Sequence, residues 1–103
     1  MKKIQDKIKN FCIENNLNCS VESRMLDLVS EVGEVSKEIL LANDYGKTTL
    51  EKNNNIESEL GDVFFSLIVL SNTLDVDLEK VLDMVLEKYE KRLINGSIGS
   101  ESD

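Results

Sequence analysis

Leu28-Val29-Ser30-Glu31-Val32-Gly33-Glu34-Val35 and Ile56-Glu57-Ser58-Glu59-Leu60-Gly61-Asp62-Val63 carry the same pattern twice. Each stretch sets two acids three residues apart inside a helical apolar repeat, with a glycine directly before the second acid. On a helix, residues three apart share a face, their Cβ atoms about 5–6 Å apart. Two such helices laid side by side bring four carboxylates to one place. Like charges at that spacing weaken an isolated helix by roughly a few tenths of a kcal/mol per pair, and loss of water adds to the penalty. A hard divalent cation removes the conflict, because such an ion takes oxygen ligands from carboxylates and from phosphates. The two stretches therefore read as one metal site built from Glu31, Glu34, Glu59 and Asp62, suited to Mg²⁺ or Mn²⁺.

Outward from these stretches the chain reads as all-α. It has no proline, little alternation of β-branched residues, and a persistent 3.6-residue period. The first helix is expected from Lys2 to Asn15, with Ile4, Ile8, Phe11 and Cys12 on its apolar face. After the break at Asn15-Asn16-Leu17-Asn18, Ser20 is placed to cap a second helix from Val21 to Ala42. In that helix Met25, Leu28, Val32, Val35 and Ile39 form one stripe. Asp27, Glu31, Glu34 and Glu38 form another about 100° away, with only Arg24 and Lys37 as nearby cations. On its own this acidic stripe would pass for an ordinary solvated face. Asn43 to Lys47 reads as a turn. Thr48-Thr49-Leu50-Glu51 has the capping-box pattern of a short helical turn, and 52–55 reads as a polar loop.

A third helix, from about Asn55 to Thr73, is amphipathic in its first half. Its second half, Val63-Phe64-Phe65-Ser66-Leu67-Ile68-Val69-Leu70, is apolar on nearly every face. A helix apolar all round is buried, and four short helices cannot enclose one of their own completely. The expected architecture is thus a four-helix-type bundle that self-associates into a homodimer or homotetramer. Asp77 caps a fourth helix, Leu78 to about Leu93, which ends at the pair Asn95-Gly96. Its apolar heptads fail at Lys88 and Arg92, where Val81, Leu78 and Val85 call for apolar residues. Two cations four residues apart therefore stand on or beside the inward face. Snorkelling of their charged ends to water is the plain explanation for each alone.

Length and charge narrow the classes of function. At 103 residues the chain is long enough for one small core, expected over residues 1–95, with a disordered tail from 96 to 103. A formal charge of −8 argues against nucleic-acid polymers and anionic membranes as partners, since both select basic surfaces. A nucleotide is not excluded when metal ions and a few basic residues line its pocket. The absence of histidine and of a CxxC spacing removes the usual zinc sites and His-based triads. Cys12 and Cys19 read as reduced, structural thiols of a cytoplasmic protein. Charge interrupts the first residues too soon for a signal peptide, and no apolar run approaches a membrane span.

The whole constellation is Glu-x-x-Glu, 24 intervening residues, Glu-x-x-Asp, then a Lys and an Arg four apart on the last helix. It resembles the MazG-like nucleoside triphosphate pyrophosphohydrolases of the all-α NTP pyrophosphohydrolase superfamily. The matching text is LVSEVGE at Leu28 to Glu34, ELGDVFF at Glu59 to Phe65, and EKYEKR at Glu87 to Arg92. The resemblance implies a helical bundle that assembles as a dimer or tetramer. It implies Mg²⁺ held on a triphosphate by Glu31, Glu34, Glu59 and Asp62, with Lys88 and Arg92 on the phosphates. The implied reaction is attack of water on the α-phosphorus of a nucleoside triphosphate, giving monophosphate and pyrophosphate, often from non-standard or surplus nucleotides.

The residues are consistent with that chemistry, which needs charge neutralisation and positioning rather than a Ser, Cys or His nucleophile. Glu31 or Glu34 could take the proton of the attacking water. Ser30 stands where many members carry a further Glu. Phe11, Asn15, Asn16, Tyr45 and Asn53 are candidates for base recognition by location and chemistry alone. Two other readings stay open at this level. One is a phosphoribosyl-ATP pyrophosphohydrolase of the same superfamily. The other is a non-catalytic helical oligomer that senses nucleotides or binds a partner, in which Lys88 and Arg92 merely pair with the acids.

Overall fold

The computed structural model describes residues 1–96. The tail expected to be disordered lies, from residue 97 onward, outside the described residues. The described residues form four helices and no strand: α1 (Lys2–Glu14), α2 (Val21–Ala42), α3 (Asn54–Thr73) and α4 (Leu78–Ile94). Local chemistry fixes most of their ends. Ser20 accepts from the Ser23 amide at 3.1 Å, Asn53 from that of Ile56 at 2.9 Å, and Asp77 from that of Lys80 at 3.2 Å. Each bond satisfies one of the amides that a helix start leaves unpaired. Past α4, Gly96 turns into the left-handed region at φ +75°, where the lack of a Cβ removes the steric penalty.

One expected element is absent. The stretch 48–53 is irregular rather than a helical turn. A single turn fixes several residues for one hydrogen bond. Here the Thr48 amide instead bonds back to the Asn43 carbonyl at 3.0 Å, and Asn53 is committed to capping α3.

The α2–α3 pair is the main packing unit, α1 lies against α3, and α4 makes only slight contact with the rest. Phe11 of α1 meets Phe65 of α3 edge-on, ring centroids 6.1 Å apart at 88°, an arrangement that adds about 0.5–1.5 kcal/mol to simple burial. Among the described residues the buried apolar side chains are few: Ile68, which is fully enclosed, Val69 and Ile56. All three belong to α3, as its all-round apolar sequence predicts. The stripe expected to point inward on α2 divides, however. Leu28, Val35 and Ile39 are half-buried, whereas Met25 and Val32 remain exposed. Glu31 and Glu38 are half-buried in their place, so the face that α2 turns to α3 is part apolar and part acidic.

Gln5 joins the start of α4 to α1. Its amide nitrogen donates to Asn72 Oδ1 at 3.0 Å and to the Val76 carbonyl at 2.8 Å, and its amide oxygen accepts from the Leu78 amide at 2.9 Å. Asn72 Nδ2 donates to the Gln5 backbone carbonyl at 2.9 Å. The Gln5 side chain is buried with both ends of its amide engaged. Gln5→Ala leaves the Asn72, Val76 and Leu78 groups without these partners. It should lower stability by about 2–4 kcal/mol, measured by urea denaturation. Gln5→Glu, which turns a second oxygen toward two acceptors, should do no better than Ala.

Candidate metal centre

The two acid motifs meet where α2 lies along α3. One carboxylate oxygen from each of Glu31, Glu59 and Asp62 falls within 4.8 Å of the other two. Glu31 and Glu59 are half-buried and Asp62 is exposed, so the cluster opens at the surface. The motif spacing explains why. Glu59 and Asp62 share a face of α3 by their i, i+3 relation, and Glu31 projects across from α2. Glu34 is not one of the three, but it and Glu38 are within electrostatic reach of Glu59.

The carboxyl of Glu59 is held above its ordinary pKa. Loss of surrounding water is the first cause, followed by the charges of Asp62, Glu31, Glu34 and Glu38. Both causes disfavour the ionised form. A hard divalent cation reverses both at once, since it replaces the lost water and opposes the summed charge. The donor set, oxygen from three carboxylates with an open side, therefore fits such an ion that keeps further positions for water or phosphate.

A cavity of about 350 Å³ adjoins the cluster, lined by Arg24, Asp27, Glu31, Asp62, Phe65, Ser66 and Val69. Arg24 and Ser66 were not picked out as site residues by the sequence, although helical geometry holds the signal. Arg24 lies seven residues before Glu31, two turns back on one face, and Ser66 lies four after Asp62. A second, apolar pocket of about 550 Å³, which shares Phe65 with the first, is lined by Lys7, Ile8, Asn10, Phe11, Glu14 and Phe65. Of the suggested base-recognition residues, Phe11 lines this pocket. Asn53 is occupied as a cap, and Asn15 Nδ2 bonds to the Phe11 carbonyl at 2.8 Å.

Lys88 and Arg92 stand on α4 and do not line the acidic cavity. Lys88 is exposed and Arg92 is buried. They flank one ring: Lys88 Nζ lies 5.7 Å and the Arg92 guanidinium carbon 5.6 Å from the Tyr89 centroid, within cation–π range. Cys12 and Cys19 are free thiols. No helix among the described residues is long and apolar enough to cross a membrane.

Comparison with known proteins identifies the family and the fold. A family model for the MazG nucleotide pyrophosphohydrolase domain matches residues 19–95. The uncharacterized protein YpjD of Bacillus subtilis is 38% identical over 71 residues, 66% of this chain and 62% of that protein, so the match spans less than two thirds of that relative. The gene 37 protein of Mycobacterium phage L5 is 34% identical over 80 residues, 76% of this chain and 70% of its own. Among solved structures, the Bacillus-conserved MazG protein, a nucleotide pyrophosphohydrolase, superposes with a TM-score of 0.72 at 30% identity, covering 85% of this chain and 86% of that one. The putative pyrophosphatase YpjD from Bacillus subtilis does so with a TM-score of 0.74 at 33% identity, covering 89% and 94%.

The electrostatics of Glu59 yield a test without any ligand. A carboxyl whose folded-state pKa is raised costs stability when ionised. In chelator, stability should therefore rise as pH falls through that raised value, until the unfolded chain is protonated too. Glu59→Gln should raise the melting temperature of metal-free protein at pH 7, and the advantage should shrink toward the ordinary carboxylate pKa. A melting temperature at pH 7 equal to or below wild type would contradict this electrostatic picture.

Proposed function

The chain belongs to the MazG nucleotide pyrophosphohydrolase family, and from that premise we propose that it is a Mg²⁺-dependent enzyme that converts nucleoside triphosphates to the monophosphate and pyrophosphate. The observation that carries this reading is the convergence of Glu31, Glu59 and Asp62, from two motifs far apart in sequence, to within 4.8 Å of one another. Glu34 completes the family's four-acid pattern from the next turn of α2. Glu31, Glu59 and Asp62 would hold the Mg²⁺, which would supply Lewis-acid polarisation of the phosphates and make the attacking water more acidic; Mn²⁺ is the natural substitute.

In the proposed reaction the water oxygen bonds to the α-phosphorus, the bond from α-phosphorus to the α–β bridging oxygen breaks, and pyrophosphate departs. The water's proton passes to a carboxylate of α2, Glu31 or Glu34. Lys88 and Arg92 do not line the acidic cavity of the single chain, so their proposed role, opposing the charge that gathers on the leaving pyrophosphate, requires α4 to be brought beside the phosphates in the assembled enzyme. The apolar pocket of Phe11 and Phe65 suits the face of a nucleobase, because it shares Phe65 with the acidic cavity. A ligand with its base in one and its phosphates in the other would span Phe65.

The active form is proposed to be a homo-oligomer. In one chain Leu82, Met84, Leu86, Leu93 and Ile94 of α4 are all at least half exposed, as are Leu26 and Val29 of α2 and Leu60 of α3. Apolar surface on this scale marks an association face. Covering α4 by a second copy would also fix the helix that carries Lys88 and Arg92.

Two measurements test the proposal. Incubation with a panel of nucleoside triphosphates should release pyrophosphate and monophosphate in Mg²⁺ and neither in chelator. Glu59→Gln and Asp62→Asn should each reduce the rate by about 100-fold or more. Release of orthophosphate and diphosphate instead would rule out attack at the α-phosphorus. Light scattering during gel filtration should give a mass that is a multiple of the 11.6 kDa protomer, and a monomer would overturn the oligomeric part of the reading.

A further inference from the structure

Arg24 is the one cation in the wall of the acidic cavity, beside Asp27, Glu31 and Asp62. Position alone suggests that it pairs with one of them, since Asp27 lies three and Glu31 seven residues further along the same helix. Yet no ion pair joins Arg24 to a carboxylate among the described residues. Its Nη2 donates instead to the backbone carbonyl of Leu17, in the loop between α1 and α2. Its Nε is shut away from water and has no hydrogen-bond partner. A buried guanidinium N–H without an acceptor is costly, and a charged donor left so beside three carboxylates calls for a physical reason.

The Leu17 carbonyl supplies the first half of that reason. It holds the guanidinium back toward the loop, so its charge is not spent on the cavity's acids. The second half is the chemistry of what the cavity receives. A cation bound by Glu31, Glu59 and Asp62 attracts anionic oxygens, and a ligand that bridges such an ion to a waiting guanidinium must carry several of them. A phosphate chain does so, and the planar donor array of arginine matches phosphate oxygens in a way that lysine's point charge does not.

We infer that Arg24 is a substrate-contact residue that binds a phosphate group of the nucleotide on the α2 wall of the cavity. The inference rests on the phosphate-site reading of the preceding subsection. It requires a small swing of the side chain, since Nε must meet an acceptor that is not there in the free protein. Arg24 would then set a positive charge against the phosphate in a cavity whose other charged lining residues are Asp27, Glu31 and Asp62. It also couples phosphate binding to the α1–α2 loop through the Leu17 carbonyl.

Calorimetric binding of inorganic tripolyphosphate in excess Mg²⁺, to the full chain, separates this role from a structural one. Arg24→Gln removes the charge and, being two bonds shorter, the bond to the Leu17 carbonyl as well; Arg24→Lys keeps charge and removes the planar array, and Mg²⁺ binding reports whether the loop is disturbed. Both should weaken tripolyphosphate about tenfold or more, Gln more than Lys. Binding of Mg²⁺ alone should be unchanged or tighter, because a neighbouring cation has gone. Equal tripolyphosphate affinity in wild type and Arg24→Gln would overturn the inference while leaving the phosphate site intact. Parallel loss of Mg²⁺ and tripolyphosphate would also overturn it, assigning Arg24 to the loop alone. Failure of wild type to bind tripolyphosphate in Mg²⁺ would overturn the phosphate-site reading and the inference together.

Discussion

Mutual repulsion among Glu31, Glu59 and Asp62 is the constraint around which the structure is arranged. Two amphipathic helices could pack along wholly apolar stripes, and α2 has enough apolar residues to do so. It instead turns a face that mixes Leu28, Val35 and Ile39 with Glu31 and Glu38 toward α3, leaving Met25, Val29 and Val32 outside. Burying carboxylates in part, and setting them against one another, works against folding. Such an arrangement makes physical sense when the energy is recovered by binding a cation that the unfolded chain cannot hold. The raised pKa of Glu59 is the trace of that conflict in the free protein.

The remaining packing is organised so that this face can be spared for binding. The buried apolar side chains are confined to α3, and α1 is joined to the α3–α4 turn by the satisfied amide of Gln5 rather than by a large apolar seam. Much of α2 and nearly all of α4 keep their apolar residues at the surface. Self-association would complete the core that the single chain lacks, so that stability and assembly become one property. The acid cluster, open at the surface through Asp62, lines one cavity, and that cavity shares Phe65 with an apolar pocket. An ionic end and an apolar end at about the spacing of one side chain suit a nucleotide better than either half alone.

Much of this was legible in the residues. Three helix starts follow from side-chain caps, two of which, Ser20 and Asp77, stand out in the sequence, and Asn95-Gly96 marks the last stop. The helical spacing of the acids put Glu31 with Glu34 and Glu59 with Asp62 on shared faces, and the matched motifs suggested that all four meet; the structure brings Glu31, Glu59 and Asp62 together and leaves Glu34 outside the group. Periodicity does not dictate which face meets which neighbour, and that is why Met25 and Val32 were expected inside. Thr48-Thr49-Leu50-Glu51 had the local signature of a turn, but a four-residue signature is too weak to outweigh tethering of the loop at both ends. Arg24 was visible only as a nearby cation. Its significance lies in a backbone carbonyl and an unpartnered Nε, neither of which a one-dimensional pattern contains.

The central claim is that Glu31, Glu59 and Asp62 form one divalent-cation site, and titration with Mn²⁺ followed by electron paramagnetic resonance tests it most directly. The account predicts that wild-type protein removes the free-ion signal to a defined stoichiometry per chain and that Mg²⁺ competes. Glu59→Gln and Asp62→Asn should each abolish that class of bound ion. Unaltered binding in both variants would show that the ion, if held at all, is held elsewhere on an acidic surface, and the account would fail at its foundation.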